Sequence, residues 1–234
     1  MTLRRAISIL SLAGSVLASA LLLAETPSAS DSKGALHLTA KLVNVQGAPD
    51  SIRIDVLRWS TEDERSRLLS AWELKSAPAG GGRGAGKGAA KAGKGAAKGP
   101  APAAAPTEAL VPEVELARAL QEATTVGYLW SSELSGYALR YAGRTVAGDG
   151  SQRIVLLTQR RLGALNQRWN PANGTQNKNE FSVVELRLNA QGQGEGKASL
   201  TGKITQDPAV KIVALENYQS LPVVFSDVRP AIVP

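Results

Sequence analysis

Apolar residues recur at every second position along most of this chain, and a period of two restricts it to strands whose two faces meet different environments. The longest example runs from Phe181 to Ile204. Val184, Leu186 and Leu188 fall on one side with Glu185 and Arg187 on the other; Ala198, Leu200 and Ile204 then oppose Lys197, Ser199, Thr201 and Lys203. A polar, glycine-rich stretch at 189–196 joins the two runs, so the pattern predicts a hairpin with one packed face and one wet face. Leu36, Leu38, Ala40 and Leu42 alternate with His37, Thr39 and Lys41, and Ile52, Ile54 and Val56 alternate with Arg53 and Asp55, across a turn at 46–50. That is a second hairpin. Farther on, Tyr137, Leu139 and Tyr141 alternate with Ala138 and Arg140, residues 153–159 form an apolar strand, and 211–218 and 222–228 read as the last two strands.

Two segments carry the helical period instead. Thr61 and Glu64 form a capping box, Glu62 and Asp63 add charge to the first turn, and Leu68, Leu69 and Trp72 recur at helical spacing, which predicts a helix over 61–74. Pro112 suits a first helical turn, and Leu116, Ala119, Leu120 and Ala123 make an apolar stripe on a helix ending near Gly127. Between them, residues 77–106 are almost entirely Gly, Ala, Lys and Pro without a large apolar side chain, a composition that buries too little surface to offset the entropy of ordering. The tract is expected to be a disordered insertion within one domain, because the 42 residues at 35–76 are too few for a cysteine-free domain of their own. Its two imitations of a phosphate-binding loop, at Gly81–Lys87 and Gly88–Lys94, are each followed by glycine where Ser or Thr is required. The fold expected is α+β: a mostly antiparallel sheet or partial barrel of about eight strands, with two helices covering one face or end.

The chain opens with Arg4 and Arg5 ahead of an uncharged run from Ala6 to Ala24, a signal-peptide pattern over 1–24. Export to the periplasm or beyond follows, with no transmembrane anchor after cleavage. Residues 25–34 are then a flexible mature N-terminus, 35–76 and 107–229 are the two parts of the domain, and 230–234 are a frayed tail. With no cysteine, the exported protein has no disulfides to hold it.

The formal charge of +7 suggests nucleic acid, but its location argues otherwise. Arg4, Arg5, Arg83, Lys87, Lys91, Lys94 and Lys98 lie in the signal and the low-complexity tract, which leaves 20 basic residues against 20 acids in the remainder. No basic nucleic-acid footprint remains. The only histidine, His37, falls on the polar face of a strand without ligand partners nearby in sequence, so neither a zinc site nor a nucleophile–histidine scheme is legible, and no cofactor is called for. Carboxylates at Glu180, Glu185, Glu195 and Glu216 leave one enzymatic alternative, a carboxylate-dependent hydrolase acting on a glycan.

Within the neutral domain the charge is uneven. Arginines concentrate in 135–178, which holds a balance of +6, while 107–134 holds −4. Arg140, Arg153, Arg160 and Arg161, interleaved with Tyr137, Tyr141 and Trp169, are therefore candidates for an anion-binding surface on a non-enzymatic exported protein, with an anionic glycan, lipid head group or phosphate as ligand. The competing reading pairs these arginines with Glu113, Glu115 and Glu122 of the second helix.

The runs Ser51 to Glu62, Val126 to Trp130, Phe181 to Lys197 and Ala214 to Val223 resemble a family of uncharacterised exported bacterial proteins. The resemblance spans most of the chain outside the signal and the low-complexity tract. It implies one domain with an insertion in place of a shorter helix-to-helix connection. It implies no activity and carries over no catalytic residues.

Overall fold

The computed structural model describes residues 35–74, 111–132, 135–165, 169–172, 174, 176–208 and 211–231. Residues 1–24, expected to be a signal peptide, the stretch 25–34 and the tract 77–106 lie outside the described residues. In chain order the elements are β1 (Leu36–Leu42), β2 (Val45–Gln46), β3 (Ser51–Val56), α1 (Glu62–Trp72), α2 (Pro112–Glu122), β4 (Gly127–Trp130), β5 (Gly136–Val146), β6 (Gln152–Thr158), β7 (Asn170–Pro171), β8 (Val183–Leu188), β9 (Gly194–Ala198), β10 (Ile204–Asp207), β11 (Ile212–Leu215), the 3-10 turn η1 (Tyr218–Ser220) and β12 (Phe225–Pro230).

Among the described residues, eight antiparallel strands close a barrel in the order β1-β12-β9-β8-β6-β5-β4-β3. Long strands follow one another around the wall as a meander, and the circle is completed by β1 pairing with β12, where Leu38 faces Pro230 and Leu42 faces Phe225. Pro230 thus belongs to a strand rather than to a frayed tail, and the Ala231 amide donates to the His37 carbonyl. The alternation explains the interior: Leu38, Ile54, Leu129, Leu139, Ile154, Leu156, Leu186 and Phe225 all point inward and are buried. Trp59 and Trp169 join the same core. The latter sits in 166–180, where five asparagines, Pro171 and Gly174 predict an exposed loop, but its indole is only 2 % exposed. Asn170 and Pro171 pair with β2, which ties that stretch down.

A second core lies outside the barrel. Leu68 of α1, Leu116 and Leu120 of α2, and Ile212, Val213 and Leu215 of β11 pack with Val155, Leu157 and Val183 from the outward faces of β6 and β8. The helices follow their sequence signals. Thr61 caps α1 and forms the reciprocal box with Glu64, and Pro112 opens α2. The hairpin expected over 181–204 is shorter than its pattern: the turn occupies 189–193, and Ile204 belongs instead to the separate β10–β11 hairpin.

Arg58 clamps Glu64 through two hydrogen bonds, of 2.8 and 2.7 Å. That guanidinium, helped by the Thr61 amide, outweighs the effect of burial and holds the Glu64 carboxyl near 2, below its ordinary value of 4.5. Because the folded value is the lower one, the contribution is complete above about pH 4.5 and is lost as the pH falls toward 2. Glu64→Gln retains the capping-box bond but not the charge. It is expected to lower the unfolding free energy by about 1–2 kcal/mol at pH 7 and by much less at pH 3, read from urea midpoints at the two pH values.

Candidate functional site

The outward faces of β5, β6, β8 and β9 form a grid. Thr145, Arg153, Arg187 and Glu195 make one row; Gly143, Val155, Glu185 and Lys197 make the next. The sequence predicts that this side of the central hairpin is wet, and the structure corrects that. Glu185 is 0 % exposed, Lys197 4 % and Ser199 1 %. The cause is the second layer: β11 and η1 cover the face that alternation alone assigned to water.

Burying charge without partners is costly, and the partners are present. Glu185 accepts from Arg153 at 2.9 and 3.2 Å and from Arg187 at 3.2 and 3.0 Å. Arg153 reaches across to Asp207 of β10 at 2.5 Å. Arg187 stacks 3.8 Å from the centre of the Tyr218 ring, and the Lys197 ammonium lies 4.6 Å from the same ring. Lys197 also donates to the carbonyls of Tyr218 and Gln219. Burial pushes the Tyr218 hydroxyl up to about 12 against the pull of Arg187. With no solvent exposure and both oxygens accepting from guanidinium groups, Glu185 is the centre of a buried ionic cluster. Glu180, Glu195 and Glu216 are exposed.

Beside this cluster a small cleft of about 40 Å³ opens between α1 and the barrel wall. Arg65 of α1, Arg144 of β5 and Arg153 of β6 line it together with Tyr141 and Gly143. A β-bulge makes this arrangement. The register slips between Leu139 and Tyr141, so Arg140 is the extra residue, and Tyr141 faces outward although Tyr137 and Leu139 face in. A β-carbon at Gly143 would lie 2.4 Å from the Tyr141 hydroxyl oxygen, so glycine there lets the ring fold down beside the cleft. Burial raises the pKa of that hydroxyl and keeps it protonated as a donor.

The three guanidinium groups are not equivalent. Arg65 bonds Glu62 one turn earlier, and Arg153 bonds Glu185 and Asp207. Arg144 forms no ion pair among the described residues. Pairing with the inward Ile154 puts it on the interior side of β5, where its guanidinium carbon lies 5.0 Å from the centre of the buried Trp59 ring.

The seven sequence-predicted residues do not converge. Tyr141 and Arg153 meet at the cleft. Tyr137 and Trp169 point into the barrel, ring centres 5.9 Å apart, and the Tyr137 hydroxyl accepts from the Gly163 amide. Arg140 turns to the end of α2 and donates to the Ala123 carbonyl at 2.6 Å and the Thr125 hydroxyl at 2.9 Å. Arg160 and Arg161 lie past the end of β6, near the opposite end of that strand from Arg153. Pairing with the acidic helix is not what occupies these arginines either: the Glu115 partner is Arg118 of the same helix, and no ion pair among the described residues joins α2 to β5 or β6. Sequence reasoning missed Arg65 and left Arg144 in the charge count only.

His37, read as a partnerless surface residue, has a partner: its Nδ1 lies 2.9 Å from Asp55 on the neighbouring strand. Among the described residues, no group of three or more His, Cys, Asp or Glu is placed to hold a metal ion, and no helix is long and apolar enough to cross a membrane. No protein-family model, curated protein or solved structure matches the chain.

Proposed function

We propose that this is an exported, non-enzymatic binding protein that holds a small oxyanion group, phosphate or carboxylate, in the cleft lined by Arg65, Arg144 and Arg153. The observation that carries the reading is Arg144, a residue of the cleft wall whose guanidinium rests on the Trp59 ring at the interior side of β5 and forms no ion pair among the described residues. Arginine presents a planar fork that matches oxyanions, and stacking on an aromatic ring leaves that fork free. The cleft is sized for a charged group at the end of a ligand rather than for a whole substrate. Export rests on Arg4, Arg5 and the uncharged run behind them, and on the resemblance to exported bacterial proteins. A glycan bearing anionic groups and a lipid head group both supply the same chemistry.

The test is made on protein expressed with its own leader, recovered from the exported fraction and N-terminally sequenced. A start after residue 20–24 is expected, and titration with inorganic phosphate is expected to show binding that Arg144→Gln weakens by about tenfold. Glucuronate and glycerol phosphate then distinguish a glycan carboxylate from a lipid phosphate. A mature protein starting at Met1 or Thr2 overturns export; phosphate affinity unchanged in the variant overturns the site.

A further inference from the structure

On the far side of the barrel from Glu185 is a second surface, built from the outward side chains of β1, β3 and β4. His37 faces Asp55, Asp55 faces Tyr128 and Arg53 faces Trp130 in adjacent strands. On β5, Ala138 lies opposite Tyr128 and Gly136 opposite Trp130. Small residues at these two positions leave the aromatic rings room to lie down on the sheet. A β-carbon at Gly136 would come within 2.8 Å of the Trp130 ring, so the indole occupies the space over that glycine. At its other edge the indole N–H donates to Asp55 at 2.8 Å, which fixes the ring from the β3 side. Tyr128 sits beside it, ring centres 5.1 Å apart and inclined by 33°. Both residues are half-buried.

The polar rim settles which ligand suits this platform. Asp55 already accepts from His37, Arg53 and Trp130. Those bonds outweigh its burial and hold its pKa below the usual carboxylate value. It therefore remains charged and has little capacity for a further donor. Arg53 is different. It spends only Nε on Asp55 among the described residues, its side chain is 52 % exposed, and its guanidinium carbon lies 5.5 Å from the Trp130 ring centre. Both Nη groups are carried over the Trp130 ring, and their fork matches a carboxylate in two-point geometry.

We propose that Tyr128, Trp130 and Arg53 form a binding site for an acidic saccharide, with a uronic acid ring as the unit recognised. The C–H bonds on the apolar face of a pyranose are weakly positive and stack on the negative face of an aromatic ring. A carboxylate on that ring reaches the Nη groups of Arg53, which make no hydrogen bond among the described residues while Nε stays on Asp55. This surface shares no residue with the cleft at Arg144.

Trigalacturonate is the probe, titrated calorimetrically at low salt beside maltotriose and a thymidine oligonucleotide of similar length. The parent is expected to bind trigalacturonate at least tenfold more tightly than maltotriose, because the charge-assisted pair is made by the acid alone. Arg53→Gln is expected to erase that preference by about the same factor, and Trp130→Ala to weaken both sugars. All of these titrations are made in Arg144→Gln protein, so that carboxylate binding at the cleft does not contribute. Arg53 is an exposed side chain, so its variant tests the site even where Trp130→Ala does not fold. Equal affinity for the acidic and neutral sugars, an Arg53→Gln variant that binds like the parent, or tighter binding of the oligonucleotide overturns the proposal.

Discussion

Glu185→Gln is expected to lower the unfolding free energy by about 3 kcal/mol, at the lower end of what breaking a buried ion pair does. The substitution preserves shape and removes only charge. Two arginines whose N–H groups converge on a fully buried carboxylate would meet a neutral amide, and one of its ends is itself a donor turned toward donors. Arg153 and Arg187 retain 25 % and 40 % of their side-chain exposure, so water moderates the loss. The measurement is a urea titration in which the midpoint falls and the slope does not. Replacing the charged members together is expected to recover much of the loss, because an apolar cluster of similar volume leaves no uncompensated charge. A variant within about 0.5 kcal/mol of the parent would show that the cluster contributes nothing beyond surface substitution.

Trp59→Ala is expected to cost about 3–5 kcal/mol, the range for deleting a large aromatic side chain from a closed core. The indole lies in the link between β3 and α1 and is 2 % exposed within the barrel core. Its place is held by Ser60, whose amide donates to the Ala142 carbonyl and whose hydroxyl accepts from the Ala142 amide, so the chain cannot easily collapse into the hole. The same deletion removes the ring on which Arg144 rests. Trp59→Phe is expected to restore most of the stability while keeping a weaker cation–π surface. Thermal unfolding and phosphate titration of the pair separate the structural role of the ring from its role at the cleft.

Local signals carried much of this fold. The capping box at Thr61 and Glu64, the proline at the start of α2 and the alternation of β1, β3 and β8 are all properties of neighbouring residues, and each element forms where its pattern lies. Closure of the barrel was not visible in the same way, because it depends on Leu36–Leu42 meeting Phe225–Pro230 at the other end of the chain. The polar face of β8 and β9 was misread for a related reason. Alternation reports that two faces differ, and both can still be buried when a second layer covers the polar one. The stretch Ile212–Leu215, four consecutive buried residues, together with two amphipathic helices in need of a surface, was the sign of that layer. The candidate site was legible only in part. Nearness in sequence drew Tyr137, Arg140, Arg160, Arg161 and Trp169 toward Tyr141 and Arg153, while the barrel distributes them between its interior and its ends. Arg65 comes from a helix distant in sequence from the strands it meets.

The bulge at Arg140 gives β5 two successive phases. Before it, odd-numbered residues fill the barrel; after it, odd-numbered residues face the helices, and Ala142 takes the interior position. Loss of that one residue would make Leu139 and Tyr141 neighbours opposite Thr158 and Leu157, and plain alternation would then still send Tyr141 outward and Ala142 in. Insertions and deletions in β5 are therefore not graded by length: a change of one residue elsewhere in the strand exchanges the two cores beyond it, whereas at the bulge a single residue can be lost with both assignments kept.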